Sequence, residues 1–101
     1  MSIKLLYLKS GEQVISDVKE LILKDSDKVY GYVLYKPHEV VANKAVVLTE
    51  DASDDRNVEV TLSPWILLTE DKSMTVPQDW IITIVNPIGS ILKMYEEKTN
   101  G

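Results

Sequence analysis

The segment from Ile3 to Leu23 constrains the fold of this chain more than any other. Ile3-Lys4-Leu5-Leu6-Tyr7-Leu8 is an apolar run that breaks at Lys9-Ser10-Gly11-Glu12. It restarts as Gln13-Val14-Ile15-Ser16-Asp17-Val18 with a period close to two. A glycine after a polar pair supplies the positive φ that a tight hairpin needs. With the proline-punctuated second half, this hairpin predicts a small, strongly bent, mainly all-β barrel.

The rest of the chain carries the same signals. Lys24-Asp25-Ser26-Asp27 reads as a polar turn, and Lys28 to Lys36 as a strand with apolar or aromatic residues on both faces. Gly31 marks a bend or a close backbone approach there. Pro37 ends or kinks that strand, because proline cannot donate to a ladder. Val40 to Leu48 is rich in β-branched residues, and Glu50 to Asn57 reads as a solvated acidic loop. Val58 to Leu62 alternates, Ser63-Pro64 interrupts it, and Trp65 to Thr69 continues as strand. Such a proline predicts a bulge or a sharp change of direction. Met74 to Val76 and Trp80 to Val85 complete the strands, which run over residues 3–85. A helix is predicted over about residues 87–98, with Asn86 as N-cap and Pro87 in the first helical position. Ile88, Ile91, Leu92 and Tyr95 recur at helical spacing and form its apolar face.

A chain of 101 residues makes one domain, here residues 1–101, with a single modest core. It has no cysteine, which excludes disulfides, thiolate metal sites and cysteine nucleophiles and fits a reducing compartment. Met1-Ser2-Ile3-Lys4 lacks the basic start of a signal peptide, and no stretch reaches the roughly 18 apolar residues of a membrane span. A soluble, cytoplasmic protein with no membrane partner is expected. The formal net charge of −5 counts against a broad electrostatic grip on nucleic acid. A small pocket reading a few bases is compatible with it.

Trp65 to Leu68 and Trp80 to Val85 are apolar on both faces. A small open barrel cannot bury both faces of two such strands within one chain, and exposed flat edges are avoided by monomers. Pairing with a strand of the next subunit solves both problems, and a head-to-tail contact closes into a ring where the rotation permits. A long loop or the C-terminal helix covering these strands is the alternative. The candidate subunit interface is Trp65, Leu67, Trp80, Ile82 and Ile84, because large aromatic and apolar residues are favoured there.

Leu6-Tyr7-Leu8-Lys9-Ser10-Gly11-Glu12-Gln13-Val14 resembles the opening L-K-x-G-x-x-V hairpin of the Sm/LSm-like proteins. Ser63-Pro64-Trp65 and then Met74 to Ile84 resemble the second Sm motif in the form found in tailed phages, including those of cyanobacteria. The likeness covers nearly the whole chain. It implies a five-stranded, strongly bent antiparallel sheet and a homo-oligomeric ring built by edge pairing of the last strands. It also implies a role in binding single-stranded, often U-rich RNA, and phage origin. The chain departs from the family where Leu34-Tyr35-Lys36-Pro37 replaces an Asp-aromatic-x-Asn pattern, so the base-reading Asn is absent. Pro77-Gln78-Asp79 stands where the family carries Arg-Gly. The usual N-terminal helix is missing, and a C-terminal one is present instead.

The resemblance places Tyr35, Lys36 and His38 at the RNA-facing turn, where an aromatic and a cation stack a base and hold its phosphate. The alternative makes Tyr35 barrel core and leaves Lys36 and His38 solvated. Gln78 is the candidate for a base edge, although a polar residue after proline also suits turn chemistry alone. His38 is the only histidine, with Glu39 its one adjacent acid, so neither a metal site nor another cofactor is expected. Asp51 to Leu62 fails the calcium-loop pattern, because Arg56 takes the glycine position and Leu62 the closing glutamate. No phosphate loop, nucleophile elbow or zinc-protease motif appears, and no catalytic residue is assigned.

The expected function is a non-enzymatic ring that binds or regulates single-stranded RNA. The alternative is a ring-shaped protein-interaction or assembly module without RNA binding, with a protein partner. Lys4, Lys9, Lys36 and Lys44 discriminate: clustered on one face they favour RNA, scattered among carboxylates a protein.

Overall fold

The computed structural model describes residues 2–44 and 58–100. Its strands are β1 (Ile3–Leu8), β2 (Gln13–Ile22), β3 (Val29–Lys44), β4 (Val58–Pro64), β5 (Ser73–Pro77) and β6 (Ile81–Val85). A single 3₁₀ turn, Gln78–Trp80, joins β5 to β6, and the helix α1 spans Gly89–Asn100. The strands form one sheet in the order β4-β3-β2-β1-β6, with β5 also paired to β3. Every pairing is antiparallel.

The opening hairpin forms as the sequence predicts. Gly11 takes φ 91° and donates its N–H to the Leu8 carbonyl at 2.9 Å. Leu8 N–H closes the turn on the Glu12 carbonyl at 3.0 Å. That turn sets Leu6 opposite Val14 and Leu5 opposite Ile15, so the sheet carries one apolar set on each face.

Strand β3 is the longest element, and it is bent. Its register against β2 jumps from Ile15 opposite His38 to Asp17 opposite Tyr35, leaving extra residues in β3 across from Ser16. Lys36 sits in this bulge at φ 52°, in the left-handed region. Pro37, with no N–H to offer a ladder, bends the strand without ending it. Before the bend, Gly31 to Tyr35 pair with β5; after it, His38 to Lys44 pair with β4. The same edge of β3 therefore serves two short strands. The sheet has six strands where five were expected, and Trp65 to Thr69 is turn and coil rather than strand. The Pro37 carbonyl accepts the Trp65 N–H at 3.0 Å, one step past the His38–Pro64 pair, and the chain turns away from β3 after it.

Two cores follow from the two apolar faces. Inside the bend, Leu6, Leu8, Val14, Leu34 and Val76 are buried, with Val18, Tyr32, Trp65, Ile81 and Ile84 packed around them. On the other face Ile15 and Leu62 are buried beneath α1, which contributes Tyr95, Ile91 and Met94. Each fully buried leucine or isoleucine contributes on the order of 1.5–3 kcal/mol. The helix covers the barrel, but its start differs from expectation. The Ile88 carbonyl accepts the N–H groups of Ile91 and Leu92, so Ile88 takes the cap position. The Asn86 side chain is engaged elsewhere, its Oδ1 accepting from Lys4 Nζ at 2.6 Å. Ile88 is exposed, and Met94 completes the apolar face in its place.

The end of the Val40–Leu48 run and the acidic stretch Glu50–Asn57 lie outside the described residues. Among the described residues no helix is long and apolar enough to cross a membrane.

Gly31 tests the seam between β3 and β5. A Cβ there would meet the Val76 carbonyl oxygen at 2.9 Å, a backbone atom that cannot step aside. Gly31→Ala is expected to cost about 1–3 kcal/mol in chemical denaturation; an unchanged midpoint would show that the seam is loose.

Candidate functional site

The bulge at Lys36 gathers Tyr35, Lys36 and His38 under the end of α1. The Tyr35 carbonyl accepts from Ser16 Oγ at 3.0 Å and from the Tyr95 hydroxyl at 2.7 Å. The same hydroxyl accepts the Asp17 N–H at 3.1 Å. Tyr95 thus bridges β2 and β3 where their ladder is interrupted. His38 is only 9% exposed, and its ring meets that of Tyr95 edge-on at 5.8 Å. Its Nδ1 lies 2.8 Å from the Lys36 carbonyl, so Nδ1 carries the proton in this contact. Lys36 Nζ donates to the Thr99 carbonyl at 3.0 Å, in the last turn of α1, where the helix dipole favours a cation. It lies 5.4 Å from the centroid of the Tyr35 ring. Tyr35 itself is 44% exposed and is not barrel core.

Gln78 does not join this group. Tyr35 stands opposite Ser73 and Gly31 opposite Pro77, so Gln78 lies beyond the far end of the β3–β5 seam. The seam instead leads from Gln78 toward Tyr30, an exposed aromatic that sequence reasoning missed. Its sequence signal was its place near the start of the strand that follows the polar turn Lys24 to Asp27. The lysines also part: Lys4 and Lys9 flank opposite ends of β1, and Lys36 is held by α1. The side chain of Lys44 lies outside what the structure describes.

The residues expected at a subunit interface divide in two. Trp65 and Ile84 pack against the inner core, and Trp65 Nε1 donates to Glu12 Oε2 at 3.1 Å. Leu67, Trp80 and Ile82 face outward. Ile82 is 57% exposed because β6 bulges: Leu8 pairs with Ile81 and Tyr7 with Thr83, leaving Ile82 as the extra residue. Lys9 N–H holds the Trp80 carbonyl at 2.9 Å and fixes the 3₁₀ turn against β1.

Among the described residues β4 and β5 pair only with β3, and β6 only with β1, so each of the three has one unpaired edge. Of these, β5 and β6 are the two that are consecutive, joined by the 3₁₀ turn. A trough of about 550 Å³ runs along β6 between Tyr32, Asp79 and Ile82. A second open groove of about 770 Å³ begins at Ile84 and Tyr32 and extends past Lys4 and Val18 to Lys19. The candidate site is the edges of β5 and β6, with the two grooves that adjoin β6. Among the described residues, no group of three or more histidine, aspartate or glutamate side chains is placed to hold a metal ion.

Among the described residues these features define a small, bent, antiparallel β-barrel left open at the edges of β4, β5 and β6 and covered on its outer face by one helix. The chain belongs to a family of unknown function, DUF6561, whose model matches residues 1–100. A comparison with curated proteins finds no match.

Tyr95 gives the site a pH signature. Burial pushes its hydroxyl above the ordinary value of 10.0, against the lowering effect of the Asp17 N–H. The folded state then holds this proton more tightly than the unfolded chain. Stability from this group is complete below the unfolded pKa and is lost as pH rises through the folded one. Tyr95→Phe is expected to cost about 1–3 kcal/mol at neutral pH. It should also flatten the fall in stability above about pH 10; an alkaline limb identical in both proteins would contradict the assignment.

Proposed function

We propose that the chain is an Sm-like assembly module, in which β5 of one copy pairs with β6 of the next and the contact repeats into a closed ring. The observation that carries this reading is two consecutive one-sided strands, β5 and β6, joined by a 3₁₀ turn that Lys9 holds against β1. An open strand edge is a template for another chain, and monomers blunt such edges. Here Trp80 and Ile82 lie exposed at that place instead. One copy offers a β5 edge and the next a β6 edge, a head-to-tail contact that forms rings when its rotation closes.

The ring acts through protein contacts, without catalysing a reaction and without a cofactor, in the cytoplasm of a bacterial host if phage-encoded. Three observations favour a protein partner over RNA: the net charge of −5, the separation of Lys4 from Lys9, and the engagement of Lys36 and His38 by α1. A second reading, single-stranded RNA, draws on the exposed Tyr35 ring with the Lys36 ammonium beside it. Exposed aromatics flanked by cations stack bases.

Native mass spectrometry, with and without short single-stranded RNAs at low salt, separates these readings. A closed oligomer without RNA is expected. Retained RNA that is lost in Tyr35→Ala, with the ring intact, would replace the protein reading with the RNA one. Loss of assembly in Tyr35→Ala would instead make that ring structural. Trp80→Asp is expected to weaken association at least about tenfold, as for a buried aromatic anchor. A monomer in the unmodified protein, or an unchanged assembly in Trp80→Asp, would remove the edge-pairing argument.

A further inference from the structure

The turn between β4 and β5 presents Ile66, Leu67 and Leu68 in succession, with Leu67 71% and Leu68 99% exposed. Three consecutive exposed apolar residues are costly to leave in water. The turn is nevertheless held at both ends. Trp65 is fixed through Glu12 and Pro37, and the Lys72 carbonyl accepts the Lys36 N–H at 2.6 Å. Within it, the Asp71 N–H donates to Thr69 Oγ1 at 3.0 Å. It is an anchored apolar tip with nothing seated over Leu68.

The groove of about 770 Å³ reaches β6 at Ile84 and is partly apolar. Its walls include Val18, Tyr32 and Ile84, and the two lysines on its rim are balanced by two carboxylates, Asp17 and Glu20. Such a groove suits an uncharged, apolar guest. Topology says which guest reaches it. Every strand pair among the described residues is antiparallel. If β5 adds to β6 of the next copy in the same sense, Ser73 falls beside Val85. The turn preceding Ser73 then falls at the end of β6 where the groove opens. Leu68 stands five residues before Ser73, which places it no farther than roughly 16 Å from that strand end.

We infer that Leu67 and Leu68 of one copy fill the groove of the next, so that each groove is complete only with a neighbour's side chains. The inference rests on the edge pairing proposed above and adds its direction and its second contact. It accounts for two features at once: the exposed tip of the turn, and an open groove continuous with the β6 edge.

The chain contains no cysteine, so single-cysteine copies cross-link without background. Copies carrying Leu68→Cys, co-expressed with copies carrying Lys19→Cys and treated with a short bis-maleimide, should give a covalent mixed dimer. Thr75→Cys with Thr83→Cys, at the middle of β5 and β6, reports edge pairing whatever its direction. A Thr75–Thr83 dimer without a Leu68–Lys19 dimer overturns the docking and leaves edge pairing intact. A dimer of Leu68→Cys with Asp79→Cys does the same, since that contact requires parallel strands. Absence of both the Thr75–Thr83 and Leu68–Lys19 dimers overturns both. Leu68→Asp changes a fully exposed residue and should keep the circular dichroism of the folded chain. It should raise the dissociation constant of the oligomer at least about tenfold. An unchanged constant overturns the inference.

Discussion

The structure depends on the bend of β3 at Lys36. A straight strand of that length would offer one uninterrupted edge to one partner. The left-handed residue and the following proline turn it, and its edge is divided between β4 and β5. The division lets the sheet curl round Leu6, Leu34 and Val76. It also carries β5 away from β4 and leaves the Ile66–Leu68 turn between them. Because β5 then runs through the 3₁₀ turn into β6, these two consecutive strands each lack a second neighbour among the described residues, as β4 does. The open edges are a consequence of the bend, and a closed small barrel would have none.

A bulge of this kind interrupts the ladder between β2 and β3, and α1 repairs it. The Tyr95 hydroxyl serves the Asp17 N–H and the Tyr35 carbonyl together, while Ser16 supplies a second donor to that carbonyl. A buried polar group left without a partner costs about 1–3 kcal/mol, so the hydroxyl matters beyond the packing of its ring. The same helix buries His38 and holds Lys36 through the Thr99 carbonyl. Bend, helix and the chemistry of the Tyr35–His38 stretch are one unit. That stretch is consequently occupied with structure, while exposed apolar side chains stand along β6 and on the turn before β5, with another set, Ile22, Leu23 and Tyr30, at the β2–β3 turn.

The all-β class, the first hairpin and the C-terminal helix were legible in the sequence because their signals are local. Gly11 gives the turn, alternation gives the strands, and a spacing of three and four gives the helix. Misreadings arose where distant residues decide. Trp65 to Leu68 has the composition of a strand, but the Pro37 carbonyl and Glu12 hold Trp65 in a turn. Asn86 has the chemistry of an N-cap, yet Lys4 captures its side chain. Ile82 and Ile84 share one parity, and both were expected at the subunit interface. The bulge opposite Tyr7 and Leu8 separates them, one exposed and one packed inward. The burial of His38 was hidden because its cover, Tyr95, comes from the far end of the chain. Gln78 and Tyr35 were grouped by resemblance, and the seam between β3 and β5 keeps them apart.

Residue-resolved amide hydrogen exchange, measured from dilute to concentrated protein, tests most directly whether the open edges of β5 and β6 are joined between copies. Amides of β6 that face β1 should be protected at every concentration, because that ladder lies within the chain. The outward-facing amides of β5 and β6 should exchange fast in the dilute protein and slow together as copies associate. Outward amides that remain fast in a fully assembled sample would contradict the account, since another surface would then be holding the copies together.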